Sequence, residues 1–399
     1  MKNRIVIIIS IILMISCLFF VYNFYKKYQI EHAVKIVELN REEVDVFEEV
    51  SLNDLIKKIN GKVIKNKKIN TSKVGKQKIT FEYITDKNIK VPYTIDINVV
   101  DKVPPLIRKF SSYTITTGDE DFYSKFFCGD NYDNKPKCYI EGEYDVNTPG
   151  NYNLVFKGKD SSNNISESNF VLHVKEPSTD STIPKQDFFL MYPFNDIISE
   201  YKKSNTKIGI DISHYQGDID FDKVKKSGVE FVYIRVGRGG GVGKNPVIDS
   251  KFKQNIKGFN KVGIPVGVYF YSYATSKKEA ERDAKWVLKQ IKKYKVDLEV
   301  AYDFEDWNDY NEYNLSFYNL SQIGESFNNT IKKAGYNGML YSSKYYLENI
   351  WFKTNYPVWL AHYINKTDYK GKYKVWQITD SGKVDGIENS FVDIDIMYE

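Results

Sequence analysis

The sequence predicts a multidomain chain: an N-terminal membrane-crossing helix, two all-β modules, and a C-terminal α/β barrel whose last third is abbreviated. Three observations carry this expectation. An uncharged apolar run opens the chain, an internal repeat fills its middle, and from about residue 207 apolar strands alternate with helical patterns. At 399 residues and 42% hydrophobic content the chain can build more than one core. The boundaries read as 1–27 for the helix, 28–49 for a stalk, 50–102 and 103–176 for the modules, 177–206 for a linker and 207–399 for the barrel.

From Ile5 to Tyr25 no residue is charged. At about 1.5 Å of rise per residue, such a helix spans the roughly 30 Å of a bilayer core. Lys2 and Arg4 precede the run and Lys26 and Lys27 follow it, so the charge signal for orientation is balanced. The remainder is soluble in character, which favours one signal-anchor with the body outside. A cleaved signal peptide is the weaker reading, because Leu18, Phe19, Phe20 and Val21 continue past any small-residue cleavage site. A lipoprotein reading at Ile15-Ser16-Cys17 stays open, although Met14 stands where Leu is usual. Residues 28–49 mix charged and apolar positions and read as a short helical stalk.

Between residues 50 and 176, short β-rich runs are split by Gly, Pro, Asn and Asp clusters. Shifting the sequence by 75 residues pairs Gly75 with Gly150, Phe81 with Phe156, Asn88 with Asn163 and Val99 with Val174, so two copies of one module are expected. Each copy alternates in its strands, which places one face on a core and the other in water. Cys128 and Cys138 are the soluble cysteines, and their spacing on a hairpin is compatible with a disulfide in an extracellular setting. The run Val99-Val100-Asp101-Lys102-Val103-Pro104-Pro105 resembles the junction between tandem bacterial immunoglobulin-like modules. That resemblance implies spacers that set distance from the membrane. Glu176 to Pro184 has linker composition, and Phe188-Phe189-Leu190-Met191-Tyr192 is apolar enough to pack on the domain that follows.

Eight apolar runs then recur, at Ile208–Ile210, Phe231–Ile234, Val266–Phe270, Val300–Tyr302, Met339–Tyr341, Val358–Leu360, Val375–Ile378 and Phe391–Met397. Helical patterns fit at 220–227, 248–261, 276–293, 315–334 and 343–350, while the last three strands have too little chain between them for full helices. The expectation is a TIM-like barrel with a shortened end. Barrels place chemistry at the C-terminal ends of their strands. Those ends are acidic here: Asp211 on the first strand, Asp303 and Glu305 on the fourth, Asp393 and Asp395 on the eighth. Unpaired buried carboxylates are costly, so a shared site is the economical explanation.

Asp303 and Glu305 flank Phe304, so on a strand both acids face one side. Crowded carboxylates push their pKa values apart, leaving one protonated as an acid and another ionised, the division glycoside hydrolysis requires. Asp306 and Asp309 read as solvated loop. His214 and His362 are the barrel's two histidines, too few for a histidine metal site, and no metal or cofactor is expected, although an all-oxygen Mg²⁺ or Ca²⁺ site stays open. His214 reads as a loop residue orienting a neighbour through a hydrogen bond. The run Arg238-Gly239-Gly240-Gly241-Val242-Gly243-Lys244 fails as a phosphate loop, since Arg238 replaces its first glycine and Asn245 its Ser/Thr; a mobile substrate-side loop is the better reading. A net charge of +5 on 57 basic and 52 acidic residues is too mild for a nucleic-acid footprint.

Gly209-Ile210-Asp211-Ile212-Ser213-His214-Tyr215-Gln216-Gly217, Tyr302-Asp303-Phe304-Glu305, Trp359-Leu360-Ala361-His362-Tyr363, Trp376-Gln377 and Val392-Asp393 together resemble the family 25 glycoside hydrolases, which are N-acetylmuramidases. The resemblance covers about 206–399. It implies cleavage of the β-1,4 bond between N-acetylmuramic acid and N-acetylglucosamine in peptidoglycan, with Glu305 as general acid and Asp303 as the second catalytic carboxylate. Asp211 and Asp393 complete the acidic site. Tyr271, Trp359 and Tyr363 are candidates for holding the sugar, with His214 and Gln377 as further substrate-side candidates. Asp395 departs from the pattern, where Asn is frequent. The resemblance implies retention of anomeric configuration, by a direct or a substrate-assisted route. The expected setting is local wall remodelling at a Gram-positive-type cell surface. The competing expectation is a weak or inactive glycan-binding surface protein, an adhesin or a structural part of a wall-spanning machine.

Overall fold

The computed structural model describes residues 2–177, 191–241, 243–388 and 390–399, divided into two compact units, Met1–Lys102 and Val103–Glu399. The first unit opens with a helix from Lys2 to His32. Its segment Ile9–His32 has a mean hydropathy of 1.7, and Leu13, Phe19 and Phe20 are exposed along it. Length and composition suit a membrane span or a signal sequence.

The expected helical stalk over 28–49 is corrected. After His32 the chain forms strands at Val37–Leu39 and Glu43–Asp45, the first antiparallel to Ile56–Ile59 and the second parallel to Lys90–Val100. The reason is β-branched alternation: Val44 and Val46 bury into the first module's core beside Leu52 and Leu55.

The first module's main sheet runs Glu43–Asp45, Lys90–Val100, Gly75–Thr85, Gly61–Val63; the second module's runs Lys137–Glu141, Gly150–Lys159, Ile165–Lys175, Ser112–Thr116. The long hairpins of the two modules are the 75-residue repeat, and both turns hold an asparagine in the left-handed region, Asn88 at φ 60° and Asn163 at φ 71°. Asparagine tolerates that conformation better than other residues with a side chain. Each module adds a two-stranded sheet, giving fewer strands among the described residues than the seven of an immunoglobulin constant-type domain.

Cys128 and Cys138 are disulfide-bonded, with Cα atoms 6.4 Å apart. They do not sit on one hairpin. Cys128 pairs with Ile107 in the small sheet and Cys138 with Gly158 in the large one, so the bond joins the second module's two sheets.

The second module and the barrel form one unit. Asn311 of the barrel donates its amide to the carbonyl of Phe126 at 2.8 Å and accepts the backbone N–H of Cys128 at 3.1 Å. The backbone N–H of Ser316 donates to Asn134 Oδ1 at 2.9 Å, and Phe127 packs on Tyr310 and Phe317 with ring centroids 5.3 and 6.2 Å away. Of the expected linker, 178–190 lies outside the described residues, including the aromatic residues Phe188 to Leu190. The remainder is corrected: Tyr192–Pro193 pairs with Gly382 and Lys383, and the helix Phe194–Tyr201 buries Phe194 and Ile197 in the barrel's outer core.

The barrel strands are β1 (Thr206–Ile212), β2 (Val232–Arg238), β3 (Val266–Tyr271), β4 (Val300–Asp303), β5 (Gly338–Ser343), β6 (Val358–Ala361), β7 (Val375–Lys383) and β8 (Val392–Tyr398). Between them lie α1 (Phe221–Lys226), α2 (Phe252–Val262), α3 (Lys277–Ile291), α4 (Phe317–Lys333) and α5 (Lys344–Asn349). Each strand pairs in parallel with the next from β1 to β7, and β8 closes the ring antiparallel to both β7 and β1. This departs from the all-parallel TIM pattern, because the connection from Lys383 to Val392 is too short for a crossover helix.

Strand alternation sorts the side chains into two layers. Ile208, Ile210, Val232, Ile234, Val266, Val268 and Leu360 face outward into the core shared with the helices. Phe231, Tyr233, Met339, Trp359, Val375 and Met397 fill the interior. Gly267 makes room for them: a Cβ there would lie 2.2 Å from the Tyr233 ring. Nearer the C-terminal mouth the inward positions turn polar.

Candidate active site

Asp211, Asp303, Glu305, Gln377 and Asp393 occupy inward positions at the mouth, and with Tyr269, Tyr341, Trp359 and Tyr363 they line a cavity of about 170 Å³. The register explains the meeting. Asp211 stands opposite Asp393 across the antiparallel β1–β8 pair, and Asp303 stands beside Tyr271 on β3 and Tyr341 on β5. Phe304 turns outward and is fully buried, while Glu305, just beyond β4, is exposed to the cleft.

The acids differ in environment. Asp303 is 2% exposed, and its Oδ1 has no hydrogen-bond partner among the described residues. Burial lifts its carboxyl well above the usual Asp range; the charges of Glu305 and Asp211 add to the rise and Arg235 opposes it. Glu305 is raised as well, by desolvation. Burial also raises Asp211 and Asp395, and Asp393 is pushed up to about 9, first by burial and then by the Asp211 charge. So many carboxyls in one dry mouth cannot all ionise, and protons are held among them at neutral pH.

Gln377 lines this cavity and bonds to three of its other walls. It is 2% exposed, donates to Asp211 Oδ2 at 2.7 Å, and its Oε1 accepts from Tyr341 Oη and Tyr363 Oη, each at 2.9 Å. Trp359, a candidate for holding the sugar, lines the cavity but is largely enclosed. At 1% exposed, its ring is packed against Tyr233 and Tyr341, and its indole N–H donates to Asp395 Oδ1 at 2.8 Å. Buried indoles seek such a partner, so Trp359 supports the floor. Tyr363 is 52% exposed and free to contact a ligand through its ring face. Tyr271 is half-buried beside Asp303, its phenol raised by burial and by that carboxylate.

His214 stands one step back from the acids. Its Nδ1 lies 3.2 Å from Asp249 Oδ2 and against the Arg235 guanidinium, and Arg235 Nε donates to the same Asp249 oxygen at 2.9 Å. This Asp249–Arg235 pair was not anticipated from the sequence, nor were Tyr269 and Tyr341. The available signal was Arg235 itself, an inward-phase cation inside an otherwise apolar strand. Asp306 is not simply solvated, since it accepts the Tyr313 hydroxyl. In the glycine-rich loop residue 242 lies outside the described residues; Gly243 N–H donates to Glu279 at 3.0 Å.

Residues 210–387 match the model of the glycosyl hydrolases family 25, so the barrel carries a domain of that family. The chain is 30% identical over 194 residues to the autolytic lysozyme of Clostridium acetobutylicum, covering 48% of this chain and 56% of that protein. It thus spans little more than half of that relative's length. Among solved structures it is similar to the modular autolysin LytC of Streptococcus pneumoniae in complex with a synthetic peptidoglycan ligand, at 29% identity and a TM-score of 0.45 over 61% of this chain and 56% of that one. A family 25 glycosyl hydrolase from Bacillus anthracis is 21% identical, with a TM-score of 0.42 over 50% of this chain and 92% of that one.

Proposed function

We propose that this chain is a membrane-anchored peptidoglycan hydrolase, a lysozyme of the muramidase type that cleaves the β-1,4 bond between N-acetylmuramic acid and N-acetylglucosamine. The observation that carries the reading is the unequal pair at the end of β4: Glu305 open to the cleft and Asp303 buried, both carboxyls raised by desolvation, with Arg235 opposing the rise at Asp303. Glu305 holds a proton for the leaving glycosidic oxygen, and Asp303 acts in its ionised form, which burial disfavours and Arg235 favours, to stabilise positive charge developing at the sugar carbon. Asp211 and Asp393 fix the polarity of the opposite wall. The family match over 210–387 and the similarity to the autolytic lysozyme of Clostridium acetobutylicum support the same reaction class. The apolar helix Lys2–His32 would hold the body at the outer face of the membrane, with the first β module as an immunoglobulin-like spacer, so that the enzyme remodels wall close to its own cell.

The direct test is Glu305→Gln on purified peptidoglycan. Loss of a general acid lowers turnover by about 10²- to 10⁴-fold, so the variant should release almost no reducing ends while still sedimenting with the wall. Equal solubilisation of wall by variant and wild type refutes the assignment.

A further inference from the structure

The loop that leaves Glu305 runs directly into the junction with the second module. There the module's Arg108 and Phe127 meet Trp307, Tyr345 and Tyr346 of the barrel around a cavity of about 600 Å³, within the range of ligand pockets. A second cavity of about 490 Å³ lies between it and the acids: Tyr345 lines both, and Glu305, Tyr341 and Tyr363 line the second cavity and the acidic one. The three cavities thus adjoin, sharing walls from the acids to the module.

Its junction end has the chemistry that holds saccharides. Tyr345 is 50% exposed, and Tyr346 is stacked on Trp307 with ring centroids 3.9 Å apart. Arg108 is exposed on the module side, close enough for its charge to act on the Tyr346 phenol, and Asn308 and Asn349 are exposed beside it. Aromatic rings carry the apolar faces of sugar rings, and planar guanidinium and amide groups match their hydroxyl and acetamido groups. No carboxylate lines this cavity, unlike the acidic mouth. Its walls are held in place by the bonds of Asn311 to Phe126 and Cys128 and of Ser316 to Asn134.

We infer that the second module is a working part of the enzyme: with the Tyr345–Tyr346 face of α5 it forms a distal subsite for amino-sugar units of the same glycan strand bound at Glu305. The inference rests on the proposed muramidase reading for its ligand, and on the adjoining cavities for its place. In the subsite, binding energy is drawn from sugars remote from the scissile bond.

The test uses the full chain with Glu305→Gln, so that ligand is bound without being cut, and soluble glycan oligomers of two lengths prepared from peptidoglycan. With the junction intact, affinity should rise about tenfold from tetrasaccharide to octasaccharide, and Arg108→Ala or Tyr345→Ala should abolish that gain. Both side chains are exposed, so the fold survives, which circular dichroism checks. In the Glu305 parent, the same substitutions should lower the ratio of kcat/KM on polymer to kcat/KM on tetrasaccharide by a similar factor. A length gain that persists in both variants, or is absent from the parent, overturns the subsite. A length gain that is lost in the variants supports it even if the parent cleaves nothing, an outcome that defeats the muramidase reading alone.

Discussion

At the end of β4 the chain offers one carboxylate to the cleft and hides the other, Glu305 being exposed and Asp303 2% exposed. Across the mouth, β1 and β8 hide almost everything: Asp211 is 4% and Asp395 0% exposed, and Asp393 is half-buried. The contrast separates two jobs. The β4 side has an exit for a proton and a cation, Arg235, that opposes the rise burial imposes on the inner acid. The β1–β8 side has no cation among the causes acting on its acids; Gln377 and Trp359 supply neutral donors there. Burial raises the carboxyls on both sides, and the β4 side alone has a cation opposing that rise, so it is the side better suited to hold an ionised acid.

If that division is right, Asp303→Asn should cause the largest loss among the supporting substitutions, lowering kcat by about 10²- to 10³-fold with little change in KM. Initial rates on purified wall measure it, and a loss under threefold would erase the contrast. Next comes Gln377→Ala, which leaves Asp211 and the Tyr341 and Tyr363 hydroxyls without their shared partner. Stability should fall by about 1–3 kcal/mol in thermal or denaturant unfolding, and kcat by roughly tenfold, or ~1.4 kcal/mol of lost positioning.

The pH dependence of folding follows from the raised acids. An acid whose folded pKa exceeds its unfolded value contributes stability that is complete below the unfolded pKa and lost as pH rises through the folded one. For Asp393 the window runs from the usual Asp value of 3.8 up to about 9. The thermal midpoint should therefore fall as pH rises from 5 to 9, each such group contributing at most about 1.4 kcal/mol per pH unit. The smallest effect on activity is expected for Asp395→Asn. Asparagine still accepts the Trp359 N–H, so activity should stay within about threefold, while the fall of the midpoint with pH becomes shallower. A steeper fall would mean that Asp395 is ionised in the fold.

The four acids were legible because strand ends and period-two alternation are local properties of the sequence: Asp211, Asp303, Glu305 and Asp393 follow from counting along single strands. What escaped depends on neighbours. Arg235 matters through Asp249 and His214, from separate stretches of chain, and Gln377 through three side chains, Asp211, Tyr341 and Tyr363, from three other stretches. The fate of Trp359 could not be read either, because burial in a barrel depends on the rings opposite it. The helical stalk was misjudged where charged and apolar residues mix without showing which period governs. The disulfide was expected, but the two sheets it joins are set by strand pairing outside the ten-residue interval.

The most direct measurement of the central claim is the identity of the new sugar ends released from purified peptidoglycan. Reduction of the products with borohydride should convert N-acetylmuramic acid, and not N-acetylglucosamine, to its alcohol, and Glu305→Gln should abolish the signal. New ends that are N-acetylglucosamine, or N-acetylmuramic acid ends released equally by the variant, would contradict a muramidase acting through Glu305.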